Sequence, residues 1–180
     1  ELGVALVGVD EEKVMQIKLS GTGFLVVPEK VVYIPDEILT DNDNSNEATW
    51  GIRLTETLRS PYTGAGVKVA VLDTGFDTTH PDFKEREITT TSFVPDEPVD
   101  DLHGHGTHCI GTACGSVNEQ GTRYGVASDA HIYVGKVLSN QGSGAQSWIL
   151  NGMAWAANNG CKVLSMSLGS PVSEGESYDI

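Results

Sequence analysis

Three short apolar runs, separated by stretches with helical character, constrain the fold of this chain more than any other feature. The runs cover residues 67–72, 131–138 and 162–166. Between the last two, apolar residues recur on one face of a helix predicted over residues 143–159, which Ser143 would cap and Gly160 would end. A glycine-rich helix is predicted over residues 106–115. Because strands that alternate with helices build βαβ units, the sequence predicts an α/β fold with a parallel sheet.

The N-terminal part of the chain follows a different pattern. Its predicted strands cover residues 4–9, 24–27 and 31–34. Asp10 is placed to cap a helix that continues to about Lys18. Residues 36–47 then carry several acidic side chains and no basic one, which is typical of an exposed linker. We therefore expect a small α+β segment over residues 1–42 and a main domain over residues 48–180.

The charge of the chain disfavours two classes of partner. The 180 residues include 25 acidic and 11 basic side chains, which gives a net charge of -14. A surface that negative repels nucleic acids and anionic lipids. No apolar run approaches the roughly 20 residues that a membrane-spanning helix needs. The three cysteines, Cys109, Cys114 and Cys161, form no CxxC pair, which argues against a structural zinc site.

A cluster of histidines is the first candidate for chemistry. His103, His105 and His108 lie within six positions of one another. This spacing resembles the zinc-binding cluster of metallo-β-lactamase-like hydrolases, which predicts a zinc hydrolase site. However, Thr107 occupies the position where that cluster needs an aspartate.

The alternative is acid–base chemistry by His105 together with Asp73. Asp73 directly follows the run of residues 67–72, so its carboxylate is expected at the carboxyl end of a parallel strand, where functional groups collect. A carboxylate bonded to one imidazole nitrogen fixes the tautomer and leaves the other nitrogen able to accept a proton. The chain contains no Gly-x-Ser-x-Gly motif that would supply a nucleophile. These residues alone leave both interpretations open.

Longer motifs around these residues resemble those of the subtilisin-like serine proteases. Residues 73–82 (DTGFDTTHPD) resemble the aspartate motif of that family, and residues 105–112 (HGTHCIGT) resemble its histidine motif. Further motifs follow in the family's order at residues 142–144, 148–155 and 165–169. The resemblance covers about residues 50–170. It implies the family's three-layer fold around a parallel sheet, with only the N-terminal half present.

The resemblance implies a role for each matching residue. Asp73 would orient the imidazole, and His105 would act as general base and then as general acid. Two backbone segments would form the rims of a groove in which an extended peptide or protein substrate binds as an added strand. These rims are Gly142-Ser143-Gly144 and Ser167-Leu168-Gly169. The chemistry would need no cofactor.

Residues next to the matching motifs carry further implications. Cys109 would lie beneath the site as a small buried side chain. His80 and His108 would bond to neighbouring backbone, and His103 would be an exposed loop residue.

A structural calcium ion is a further implication of the resemblance. Asp82 matches a position that ligates calcium in many relatives, and Asn118 lies in the loop that often supplies other ligands. That loop has an unusual composition here, and a calcium ion would need six to eight oxygen ligands.

The N-terminal segment resembles the last part of the family's propeptide. Such propeptides inhibit the enzyme by laying their tail through the active site. Residues 36–47 would then contain the processing point of a zymogen that is secreted or held at the cell surface. The alternative is an extension that the mature chain retains.

The Gly-Thr-Ser-Met-Ala motif that carries the family's nucleophilic serine does not occur in these residues. We therefore expect the chain to supply the aspartate and histidine of a serine endopeptidase and to be inactive by itself. The serine would lie on a C-terminal remainder, which could stay docked after cleavage near residues 171–177. The alternative is a catalytically inactive fragment that still binds peptides.

Overall fold

A computed structural model describes residues 5–19, 26–34 and 47–171 of the chain. The helices are α1 (Glu11–Leu19), α2 (Trp50–Leu54), α3 (His105–Cys114) and α4 (Gln146–Asn158). The strands are β1 (Val31–Tyr33), β2 (Lys68–Asp73), β3 (Ile88–Ser92), β4 (His131–Lys136), β5 (Ser143–Ala145) and β6 (Val163–Ser165). None of these helices is long and apolar enough to cross a bilayer.

Four strands form a parallel sheet in the order β3-β4-β2-β6. The predicted parallel sheet is therefore confirmed, and β2, β4 and β6 fall within one or two residues of the predicted runs. Strand β3 was missed, because its sequence Ile-Thr-Thr-Thr-Ser contains a single apolar residue. Its place at the sheet edge explains that composition, since an edge strand needs less apolar surface than a central one.

Helices cover both faces of this sheet, as the three-layer prediction requires. Val69 and Val71 of β2 pack on one face with Ile110 of α3. Leu72 points to the opposite face and packs with Ile149 of α4. Because successive side chains of a strand alternate between faces, β2 contributes to both apolar cores. The α/β class is thereby confirmed.

The boundaries of α4 correct one prediction. Ser143 does not cap this helix, because residues 143–145 form β5 and the helix begins only at Gln146. Ala145 takes the cap position without a side-chain hydrogen bond. The predicted end is confirmed, since Gly160 follows the helix with a φ of 75°, which glycine adopts without strain.

The N-terminal part agrees with the prediction only in places. The backbone N–H of Lys13 donates to Asp10 Oδ1 at 2.9 Å, so the predicted cap of α1 is confirmed. Strand β1 is also confirmed, and it pairs antiparallel with β5 in a second, two-stranded sheet. Residues 5–9 form no strand, because the described residues offer them no partner strand and leave them largely exposed. Residues 24–25 and the linker residues 36–46 lie outside the described residues.

Candidate active site

Asp73 and His105 come together at the carboxyl end of the parallel sheet. Asp73 is the last residue of β2, and His105 is the first residue of α3. His105 Nδ1 lies 2.7 Å from Asp73 Oδ1, and the two residues are only 9% and 1% exposed. The same oxygen accepts the backbone N–H of Thr74 at 2.7 Å, whereas Asp73 Oδ2 is buried without a hydrogen-bond partner among the described residues. The geometry is that of a carboxylate orienting an imidazole.

The close approach of α3 to the turn after β2 depends on a glycine. A Cβ at Gly106 would overlap the carbonyl oxygen of Gly75. Only a residue without a side chain therefore lets the first turn of α3 reach this turn. The glycine directly after His105 thus sets the distance between the imidazole and Asp73.

Lys136 is a buried cation behind the site that the sequence analysis missed. Its side chain is fully buried, and Nζ donates to the carbonyl oxygens of Thr74 and Asp100 and to Asn140 Oδ1 at 2.9 Å. Glu97 Oε2 lies 3.4 Å from Nζ and balances the charge. A lysine at the end of an otherwise apolar strand was the signal in the sequence, because a buried lysine needs such partners.

Asp101 was also missed, and its carboxylate lies in the loop before α3. Burial by itself raises the pKa of this carboxyl group. Hydrogen bonds from Thr107, Gly104 and Thr74 outweigh that effect and hold the pKa below its ordinary value of 3.8. The carboxylate therefore stays ionised, although it is half buried.

The histidine cluster does not form a zinc site. Among the described residues, the one group of three side chains that could share a metal ion is Asp73, His105 and Cys109. His103 and His108 are exposed and lie outside this group. The three-histidine zinc hydrolase is therefore not supported.

Cys109 and His80 lie as the resemblance implied, whereas His108, which was expected to bond to neighbouring backbone, has an exposed side chain. Cys109 Sγ lies 3.8 Å from Nδ1 and 3.9 Å from Nε2 of His105, so this thiol packs against the imidazole as predicted. None of the three cysteines forms a disulfide. Burial raises the pKa of the Cys114 thiol to about 11, so it remains protonated. His80 Nδ1 accepts the backbone N–H of Asp82 at 3.3 Å, which is the predicted structural role.

The two predicted groove rims lie on either side of β1. Val32 pairs with Gly144 and Tyr33 with Ser143 on one side. On the other side, Tyr33 N donates to the Gly169 carbonyl oxygen at 2.8 Å, and Gly169 N donates to the Tyr33 carbonyl oxygen at 3.0 Å. Strand β1 of the chain itself therefore lies between the two predicted rims.

Side chains of the same segment also pack against an apolar cluster next to the predicted rims. Val32 is 8% exposed and packs in the core cluster of Leu72, Val137, Leu138 and Ile149. Val31, its neighbour, is 51% exposed because it points the other way. The strand is thus held by backbone pairing on both sides and by an alternate buried side chain.

Asp82 and Asn118 are both engaged inside the protein. Tyr124 donates its hydroxyl to Asp82 Oδ2 at 2.9 Å. Asn118 Oδ1 accepts the backbone N–H groups of Gln120 at 3.0 Å and Thr122 at 2.9 Å. An ion would have to compete with these contacts, and two side chains are far from the six to eight oxygens that calcium takes. As they stand, these residues do not form a calcium shell.

The sequence profile of the Subtilase family matches residues 64–179. The chain is 40% identical over 149 residues to an intracellular serine protease of Paenibacillus polymyxa, which covers 79% of this chain and 45% of that protein. It is 49% identical over 112 residues to subtilisin E of Bacillus subtilis, covering 61% of this chain and 29% of that protein. It is 53% identical over 110 residues to subtilisin Savinase of Lederbergia lenta, covering 61% and 39%. The chain thus spans less than half the length of these relatives.

Proposed function

Because this chain belongs to the subtilase family, we propose that it carries the aspartate–histidine half and the peptide groove of a serine endopeptidase. The observation that supports this most directly is the buried 2.7 Å contact between His105 Nδ1 and Asp73 Oδ1. The serine comes from a segment outside these 180 residues. The 180 residues by themselves hydrolyse no peptide bond.

The proposed chemistry follows from the orientation of the imidazole. With the proton on Nδ1, His105 donates to the Asp73 carboxylate and keeps Nε2 as the base. Nε2 takes the proton of the serine hydroxyl as the serine attacks the peptide carbonyl, and later returns it to the leaving amine. Asp73 stabilises the imidazolium that forms in between. Neither step needs a cofactor.

The substrate is a peptide or protein segment in extended form. It binds between Gly142-Ser143-Gly144 and Ser167-Leu168-Gly169, where residues 31–34 of the chain now lie. Main-chain hydrogen bonds supply affinity, and alternate side chains enter pockets. The region of residues 1–42 acts as an inhibitory segment, because its strand β1 occupies that groove.

The compartment is a separate proposal. The resemblance predicts secretion or a cell-surface location, whereas one similar protein is named an intracellular serine protease. Immunodetection of the protein in culture medium and in washed cells decides between them.

A serine-directed fluorophosphonate probe tests the proposed function in the native protein. We expect the label on a longer chain that contains these residues, or on a second polypeptide that copurifies with the 19.1 kDa chain. Asp73→Asn should slow labelling by about 10⁴-fold, because the imidazole loses its correct tautomer. His105→Ala should slow it at least as much.

His108→Ala is the matched control, because this histidine lies on the same helix but is exposed. Its labelling rate should match that of the wild type. Native protein that binds peptides but takes no label would contradict the proposal and favour the inactive peptide-binding fragment.

A further inference from the structure

Asp101 gathers hydrogen bonds from three places next to the Asp73–His105 pair. Its Oδ1 accepts the Thr74 hydroxyl at 2.8 Å and the backbone N–H groups of His103 at 3.2 Å and Gly104 at 2.9 Å. Its Oδ2 accepts the backbone N–H of Thr107 at 2.8 Å and the Thr107 hydroxyl at 2.7 Å. Both carboxylate oxygens are therefore fully used.

The contact between Asp101 and Thr74 links Asp101 to the neighbours of both Asp73 and His105. Thr74 follows Asp73 in the chain, and its N–H donates to the Asp73 carboxylate. The Thr74 hydroxyl donates to Asp101 and accepts the backbone N–H of Gly106, which follows His105, at 2.8 Å. A single hydroxyl thus joins the turn after β2 to the first turn of α3.

The contact between Asp101 and Thr107 supports a second connection between the turn after β2 and α3. The Thr107 hydroxyl donates to Asp101 and accepts the backbone N–H of Asp77 at 2.9 Å. Residues 74–77 are therefore fastened to α3 at two points, by the Thr74 and Thr107 hydroxyls, and the Asp101 carboxylate accepts a hydrogen bond from each of these hydroxyls. Because hydrogen bonds to a charged acceptor are about twice as strong as neutral ones, this carboxylate stiffens the connection more than an amide could.

The structure assigns Asp101 as a positioning residue, which fixes the Asp73–His105 geometry by tying the turn after β2 to the start of α3. Its side chain acts on the pair through Thr74 and Thr107. The effect of Asp101 on catalysis rests on the proposed function, whereas its effect on the Asp73–His105 geometry does not.

Asp101→Asn removes the carboxylate at nearly constant volume. An asparagine keeps one acceptor oxygen and turns an NH₂ group toward the donors at the other oxygen position, so the groups that donate to one of the two oxygens lose their acceptor and the hydroxyl held there is no longer fixed. Thr74→Val and Thr107→Val each remove one connection without changing the charge. Asp100→Asn is the matched control, because it removes the same charge from an exposed side chain one position away.

Two measurements on the native protein test the geometry of the Asp73–His105 pair. The first is the proton NMR resonance of the His105–Asp73 hydrogen bond, and the second is the split of kcat and KM on a peptide substrate, with active sites counted by the probe. We expect Asp101→Asn to shift or broaden that resonance and to lower kcat about 10- to 100-fold, because a displacement near 1 Å costs on that order. KM should stay within about twofold, since the groove rims are untouched.

The valine variants should change the same resonance in the same direction, and they decide the matter if Asp101→Asn does not fold. An unchanged resonance and an unchanged kcat per labelled site in folded Asp101→Asn protein would overturn the assignment. If the wild-type protein takes no fluorophosphonate label, the proposed function fails. The NMR comparison then still decides whether Asp101 positions the pair.

Discussion

At the scale of single residues, the candidate site depends on buried polar groups whose partners lie far apart in the chain. The Asp73 carboxylate meets the His105 imidazole across 32 positions, and Thr74 Oγ1 meets Asp101 across 27. Burial removes each of these groups from water, and hydrogen bonds to all of its partners are needed to offset that cost. A change at one of them should therefore affect stability as well as geometry.

The lowered pKa of Asp101 makes a prediction about stability and pH. A carboxyl group whose folded pKa lies below its unfolded value stabilises the protein above the unfolded value and loses that contribution as the pH falls through the folded pKa. The ordinary value is 3.8, so the contribution is present at pH 5 and above and declines below 3.8. We expect Asp101→Asn to lower the melting temperature at pH 6, and the difference from wild type to shrink toward pH 2.5.

Thermal unfolding followed by circular dichroism between pH 2.5 and 6 measures this difference. Asp100→Asn, at the exposed neighbouring position, serves as the control and should show little difference at any pH. A gap between wild type and Asp101→Asn that stays constant down to pH 2.5 would refute the linkage.

At the scale of elements, the decisive arrangement is the position of β1 between β5 and the backbone of Gly169. Ile34 N donates to the Gly142 carbonyl oxygen at 3.2 Å, and Gln146 N donates to the Lys30 carbonyl oxygen at 2.9 Å, which extends the pairing beyond both ends of β1. Glu29 adds a side-chain contact, since its Oε1 accepts the Ser147 N–H at 2.9 Å near the start of α4. Under the proposed function, a peptide substrate would have to displace all of these contacts.

Val32→Asp should release β1 from the groove. The substitution moves a carboxylate into an apolar cluster where Val32 is 8% exposed, and a charge there has no partner. We expect a fluorescent extended peptide to bind at least about 10-fold more tightly to the variant, because the competing strand is weakened by a few kcal/mol. Fluorescence anisotropy measures this affinity.

Val31→Asp is the matched control, because the neighbouring side chain is 51% exposed and a carboxylate there remains in water. Its peptide affinity should stay close to that of the wild type. Equal peptide binding by Val32→Asp and Val31→Asp would contradict the inhibitory role of β1.

At the scale of the whole molecule, a net charge of -14 sets how the protein responds to ions. Self-repulsion of so many acidic groups opposes compaction, and salt screens it. Cations should therefore stabilise the protein in general. A specific calcium site is a different matter, because the Asp82 carboxylate already accepts the Tyr124 hydroxyl.

Calcium and magnesium should raise the melting temperature equally. Both are hard divalent cations that screen charge alike, but only calcium suits an irregular protein site of six to eight oxygens. We expect equal melting curves at matched concentrations of CaCl₂ and MgCl₂. A rise specific to calcium that Asp82→Asn abolishes would show instead that an ion displaces Tyr124 and that the calcium prediction holds.

The sequence by itself determined the local patterns and the residues that match family motifs. The apolar runs of residues 67–72 and 131–138 predicted β2 and β4, because the burial of a strand shows in the hydrophobicity of adjacent residues. The pairing of Asp73 with His105 followed from their motifs. Only tertiary structure decided where Asp101, Lys136 and β3 lie. Each of them depends on partners that are distant in sequence, and none shows a repeating hydrophobic pattern in the residues around it. It also decided that Ser143 joins a strand, because pairing with Tyr33 outweighs its preference for a helix cap.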